Sequence, residues 1–153
     1  AQLIHHFNTQ KIIIVGDLFH AEYNKDLDEF KRWLSNFKDL KLVLIKGNHD
    51  RLKQSIYDDF NIDVYQPSLK IERLLFVHDI VALRKNCFTI SGHTHPGVLL
   101  KGIGKQRIKL PCYQVTANQL ILPAFSLFTG LNTKQAPKNC KNYGFTSDAI
   151  FEV

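Results

Sequence analysis

The chain contains no methionine, one tryptophan and three cysteines in 153 residues. Cys87, Cys112 and Cys140 are odd in number, widely spaced and form no Cys-x-x-Cys, so they read as thiols of a reducing compartment and give no disulfide framework. No apolar run approaches the length that spans a bilayer. A basic stretch leading into an apolar leader and a small-residue cleavage site is also lacking. The expected location is therefore cytoplasmic. Internal repeats and low-complexity tracts are absent. With no methionine and with Ala1 at its start, the chain is expected to lack an N-terminal segment.

What is present is ordinary for a globular protein. Apolar residues make up 44% and charged residues 22%, and the length suits one domain over residues 1–153 with a sizeable core. The net charge of +6 suits a polyanionic partner such as nucleic acid, or an evenly solvated basic surface.

Along the chain the apolar pattern changes period. Leu3, Ile4 and Phe7 have helical spacing. Ile12-Ile13-Ile14-Val15 is an unbroken β-branched run, as in a strand buried on both faces, and it stops at Gly16-Asp17. From Asn24 to Phe37 the residues Leu27, Phe30, Leu34 and Phe37 fall on one face, which predicts an amphipathic helix. Leu42-Val43-Leu44-Ile45 is a second buried strand, ending at Gly47, and residues 51–60 suit a short helix. Ile62–Tyr65, Leu74–Val77 and Phe88–Ile90 read as strands. This first part is the alternation of an α/β fold. After residue 96 the pattern predicts antiparallel strands at Val98–Leu100, Arg107–Val115, Leu120–Leu122 and Ala149–Val153, with a hairpin near Gly102 and Gly104. Residues 129–147, rich in Asn, Lys, Thr and Pro, are expected to be a surface loop.

Chemistry concentrates where the apolar runs end. Asp17 follows the first run and a glycine that permits a sharp turn, and a carboxylate there can bridge two cations. A Gly-Asp at a strand end is, by itself, also an ordinary turn or helix cap. Asn48 can offer an amide oxygen to a metal. His49 can serve as a proton donor, and Asp50 can orient its imidazole. His78 closes the run Leu74–Val77. His93 and His95 form a His-x-His pair beyond a further strand, expected to serve two adjacent metals or, with a local bend, one. Carboxylate and amide oxygens with imidazole nitrogens are the donor set of hard-to-borderline divalent ions.

In order, Gly16-Asp17-Leu18-Phe19-His20, Gly47-Asn48-His49-Asp50, a lone His78 and Gly92-His93-Thr94-His95 resemble the calcineurin-like metallophosphoesterase superfamily. The runs Gly92–Val98, Lys105–Cys112, Leu122–Phe125 and Phe128–Gly130 are similar to its ligase-associated DNA-damage-response branch, from about residue 10 to 130. The resemblance implies an α/β/β/α sandwich with mixed sheets, and two divalent cations, manganese before iron or zinc, bridged by an aspartate and a hydroxide that attacks phosphorus. It implies Asp17 as the bridging ligand, Asn48, His78 and His93 as further ligands of the second metal, and His95 as a ligand of the first. His49, with Asp50 behind it, would contact the phosphate and protonate the leaving oxygen. His20 would support the site, and Arg51 would contact phosphate. The implied activity is a DNA endonuclease or phosphodiesterase in bacterial repair, beside an ATP-dependent DNA ligase, a helicase and a nuclease-like partner.

One departure matters. The superfamily begins with Asp-x-His on its first strand, and none precedes Asp17 here. The first strand is therefore expected to be missing from this chain, or the protein is a degenerate member that acts as a scaffold. Nucleotides or phosphomonoesters are the alternative substrates, because fold does not settle substrate. Lys101, Lys105, Arg107 and Lys109 form a basic stretch; in a strand, residues 105, 107 and 109 would share one face. That face would touch phosphates, or else be a solvated sheet face whose lysines deter edge pairing.

Overall fold

The structure is a computed structural model, describing residues 1–19, 24–79, 86–126 and 129–153. It is mixed α/β and divides into two compact units, Ala1–Ser68 and Leu69–Val153. His20 lies outside the described residues. Among the described residues no helix is long and apolar enough to cross a membrane.

The first unit runs α1 (Gln2–Phe7), β1 (Lys11–Ile14), α2 (Lys25–Leu34), β2 (Lys41–Ile45), α3 (Gln54–Asp59) and β3 (Ile62–Tyr65). The strands form a parallel sheet in the order β1-β2-β3, with Ile12 opposite Leu42 and Leu42 opposite Ile62. The unbroken apolar sequence of β2 is explained by burial on both faces: Leu42, Val43, Leu44 and Ile45 are all buried. Leu42 and Leu44 pack with Phe19, Leu27, Tyr57 and Phe60 in one core.

Helix α2 begins where Asn24 Oδ1 accepts the N–H groups of Asp26 and Leu27, at 3.0 and 3.3 Å. It ends at Leu34, short of the expected Phe37. Polar side chains account for the early stop, since Ser35 Oγ and Asn36 Nδ2 donate to the carbonyl of Arg32 at 2.7 and 3.3 Å. Phe37 still packs against the core from the turn that follows.

The second unit holds β4 (Ser68–Ile71), β5 (Leu74–Val77), β6 (Phe88–Ser91), β7 (Gly97–Lys101), β8 (Arg107–Val115), β9 (Gln119–Ile121), β10 (Lys141–Phe145) and β11 (Ile150–Glu152). The sheet order is β11-β10-β8-β9-β6-β5-β4, with β7 paired to β8. Pairs β5–β6 and β6–β9 are parallel. Antiparallel pairing, as expected after residue 96, joins β7 to β8, β8 to β9 and β10, and β10 to β11.

Three expectations need correction. Residues 129–147 are not all loop, because they contain β10. Lys-Asn-Tyr-Gly-Phe has weak strand propensity, yet its neighbours complete a surface for it. Tyr143 sits opposite Tyr113 and Gly144 opposite Cys112, and the Phe145 ring lies 5.4 Å from that of Tyr113. A Cβ at Gly144 would approach Val98 to 3.1 Å, so glycine suits the close passage. Strand β4 has no signature in the sequence, because four residues, Ser-Leu-Lys-Ile, are too few to display a period. Finally, Lys105 does not share a strand face with Arg107 and Lys109. It lies in the turn before β8, where Gly102 N–H donates to the Gln106 carbonyl at 3.0 Å and Gly104 takes φ 75°.

The three thiols are free. Cys112 is fully buried, and burial, followed by the neighbouring Cys140, pushes its thiol up to about 11. A group raised that far carries almost no thiolate at neutral pH. Native protein treated with a thiol reagent at pH 8 is therefore expected to label Cys87 and spare Cys112 until denatured, as read by peptide mass mapping. Equal labelling of both in the native state would contradict the burial argument.

Candidate metal and phosphate site

In the first unit the ends of β1 and β2 lie side by side because the strands are parallel neighbours. Two successive residues after β1 are left-handed, Gly16 at φ 85° and Asp17 at φ 55°. Aspartate tolerates this region better than most side chains, but it still costs about 1 kcal/mol. The strained turn is held by Asp50, whose carboxylate is 1% exposed. Its Oδ2 accepts the N–H groups of Asp17 at 2.7 Å and Gly47 at 2.8 Å, and its Oδ1 accepts that of Phe19 at 2.9 Å. One buried carboxylate thus ties together the two loops that carry Asp17 and Asn48-His49.

Asp17 in turn accepts the His49 N–H on Oδ1 at 3.0 Å. Asn48 and His49 are exposed, and Arg51 Nε donates to the Asn48 carbonyl at 3.1 Å. Burial and then the Asp50 charge push the Tyr57 phenol up to about 12, against a smaller opposing effect of the Leu52 backbone. Tyr57 is fully buried in the core with Phe19 and Leu44.

Gly47 has a role that the motif alone does not reveal. A Cβ there would collide with the Asp17 carboxylate and come within 2.6 Å of the Asp17 nitrogen. The signal available was the glycine itself, placed before the Asn-His pair. Gly47→Ala is expected to lower stability by about 1–3 kcal/mol through forced displacement of the Asp17 turn. A urea titration measures it; an unchanged midpoint would refute the close approach.

The second unit positions the histidines. His78 follows β5 and is buried, and its carbonyl accepts the Gly92 N–H at 3.1 Å, which extends the β5–β6 pairing by one step. His93 Nδ1 lies 3.0 Å from His78 Nε2, with the rings nearly perpendicular at 75°. Two nitrogens each about 2.0–2.1 Å from one ion, in neighbouring positions, stand about 3 Å apart. The spacing therefore fits joint coordination of one ion.

The His-x-His segment is not extended. His93 and His95 both take left-handed backbone, φ 62° and 47°, and Thr94 N–H donates to the Gly92 carbonyl at 2.7 Å. The bend is secured from the segment expected to be loop. Asn132 N–H donates to the His95 carbonyl and its own carbonyl accepts the Gly97 N–H, both at 2.9 Å. Hydropathy gives no hint of this contribution from Asn132. Sparse backbone conformations of this sort persist where surrounding structure enforces them, and they gather at functional sites.

These are the features of a mixed α/β protein with oxygen and imidazole donors on strand-end loops. The fold matches the crystal structure of nuclease MPE from Pseudomonas putida, with TM-score 0.84 and 27% sequence identity, over 99% of this chain and 74% of that one. No protein-family model matches the chain, and no curated protein matches it.

Proposed function

We propose that this chain is a divalent-metal-dependent nuclease that hydrolyses phosphodiester bonds of DNA. The observation that carries the reading is the likeness to nuclease MPE across nearly the whole chain. The strand-end geometry supports it, since Asp17, His93 and His95 are held in left-handed backbone and the His78–His93 nitrogens are spaced for an ion.

In this reading Asp17, Asn48, His78 and His93 hold one cation, and His95 acts with Asp17 toward a second. Their oxygen and imidazole donors fit manganese, iron or zinc, and manganese is the proposed ion. When bound, such ions supply Lewis-acid polarisation and a strong nucleophile at neutral pH. The residues of the chain do the rest. His49, exposed and anchored through its N–H to Asp17, protonates the leaving oxygen. Arg51 steadies the phosphate. Asp50 keeps the loops in place. The single-domain sandwich belongs to the same proposal, and the repair setting beside a ligase, a helicase and a nuclease-like protein rests on the sequence resemblance alone.

The test is hydrolysis of bis-p-nitrophenyl phosphate, single-stranded DNA and duplex DNA with added manganese, with a phosphomonoester and a cyclic nucleotide in parallel. Phosphodiester cleavage abolished by EDTA is expected. Hydrolysis of the monoester alone would shift the substrate class, and no hydrolysis with any of the three metals would leave a scaffold. Manganese at 100 times its dissociation constant is also expected to stabilise the fold by about 2.7 kcal/mol, visible in thermal melts.

A further inference from the structure

The second unit carries a charge asymmetry that its fold does not require. Residues Leu69–Val153 contain eleven Lys and Arg against four Asp and Glu, whereas Ala1–Ser68 contain nine against ten. No acidic residue occurs between Asp79 and Asp148. The excess is concentrated on the β7–β8 ribbon, where residues 101–109 are all exposed.

Pairing register sorts this ribbon into two faces. Lys101 is opposite Arg107, and Leu99 is opposite Lys109. Residues directly opposite, and residues two apart, project to the same side. Lys101, Arg107 and Lys109 therefore share one face, while Val98, Leu100, Ile108 and Leu110 share the other. Lys105 adds a fourth charge from the turn. Together with Gly102, Gly104 and Gln106, the residues Lys101, Lys105 and Arg107 line a shallow concavity. At the tip, Ile103 is 96% exposed. The ion pairs Lys41–Asp63 and Lys141–Glu152 lie elsewhere.

Protection of a sheet edge accounts for scattered lysines. It does not account for like charges placed opposite each other within one ribbon, which oppose folding. Nor does it account for an isoleucine left bare at the tip, which invites association. Both features suit a polyanion with an apolar surface between its charges.

We propose that the β7–β8 ribbon is a nucleic-acid-binding arm. Lys101, Lys105, Arg107 and Lys109 contact backbone phosphates, and Ile103 packs against sugar or base. The choice of nucleic acid among polyanions rests on the nuclease reading above. Binding of this kind releases counterions and so weakens with salt in proportion to the contacts made. An apolar side chain carried beside such contacts adds affinity that salt does not remove.

Fluorescence anisotropy with labelled duplex and single-stranded oligonucleotides, in EDTA and over a potassium chloride series, tests the arm. Combined Lys101→Gln, Lys105→Gln, Arg107→Gln and Lys109→Gln should reduce the salt slope by about three. The same variant should weaken low-salt binding at least about 30-fold, the loss of several phosphate contacts. Lys101→Arg with Lys105→Arg and Lys109→Arg should retain the slope, and Ile103→Ser should weaken binding without changing it. Thermal melts confirm that each variant is folded. An unchanged slope and affinity in the glutamine variant, or no binding by the wild type at low salt, overturns the proposal. Hydrolysis of bis-p-nitrophenyl phosphate by the wild type separates the two readings. Hydrolysis with unchanged binding by the glutamine variant refutes the arm alone. Salt-sensitive binding lost in that variant, without hydrolysis by the wild type, refutes the nuclease reading alone.

Discussion

If Asp17 holds the metal as proposed, Asp17→Asn is expected to lower kcat/KM for a phosphodiester by about 10³-fold while the protein stays folded, because loss of a charged donor would remove several kcal/mol of transition-state stabilisation. Asparagine is the informative substitution. The Asp17 backbone is left-handed at φ 55°, and asparagine tolerates that region where alanine strains it. The amide oxygen can also keep the bond from the His49 N–H. What changes is one negative charge and one acceptor, now a donor. A steady-state assay with manganese and a melting curve together decide the matter. Wild-type turnover in a folded Asp17→Asn protein would sink the metal assignment, and collapse of the melting temperature would make Asp17 a structural residue.

Asp50→Ala is expected to have the largest effect on stability. Three backbone N–H groups, of Asp17, Phe19 and Gly47, end on this one buried carboxylate. An orphaned buried donor costs about 1–3 kcal/mol, so three cost about 4–6 kcal/mol after partial relaxation. That is comparable with the whole stability of many domains, about 5–15 kcal/mol. Asp50→Asn should fall between, because its amide oxygen keeps an acceptor while its NH₂ faces a donor. Urea unfolding of the two variants should therefore rank wild type above Asn and Asn above Ala. A wild-type midpoint for Asp50→Ala would show that the loops are held by something else.

These two neighbours illustrate how far residues announce their work. The tetrapeptide Gly-Asn-His-Asp suggests a carboxylate behind the His49 imidazole, and the structure gives Asp50 a further task that the tetrapeptide does not announce. The structure shows its oxygens on the backbone of two loops, 31 and 33 residues away in the bonds to Phe19 and Asp17. Nothing in the tetrapeptide distinguishes a carboxylate that faces a side chain from one that collects amides of a distant loop. Gly47 is similar: the glycine is visible, but its reason is the Asp17 turn that passes beside it.

Strong local patterns were legible. The runs of β1 and β2 announce strands, but burial on both faces holds only for the central β2; Ile12, Ile13 and Ile14 of β1, at the sheet edge, are half-buried. The amphipathic face of α2 is equally plain, and only its last turn is decided by the competing hydrogen bonds of Ser35 and Asn36. The positions of Asp17, Asn48, His49, His78, His93 and His95 just beyond apolar runs follow from sequence order alone.

Non-local pairing was not legible. Strand β10 exists because β8 offers it an edge and because Gly144 lets the backbones pass beside Val98. The left-handed bend at His93 and His95 depends on Asn132, more than thirty residues later, bonding the His95 carbonyl. The basic ribbon needs register to replace Lys105 with Lys101 on the face of Arg107 and Lys109. The sequence by itself determined which residues carry donors, charge and burial, since those are properties of side chains and their period. Only the tertiary structure decided how those side chains are held and which of them share a face. Those outcomes depend on backbone hydrogen bonds between distant segments, and no local pattern encodes such bonds.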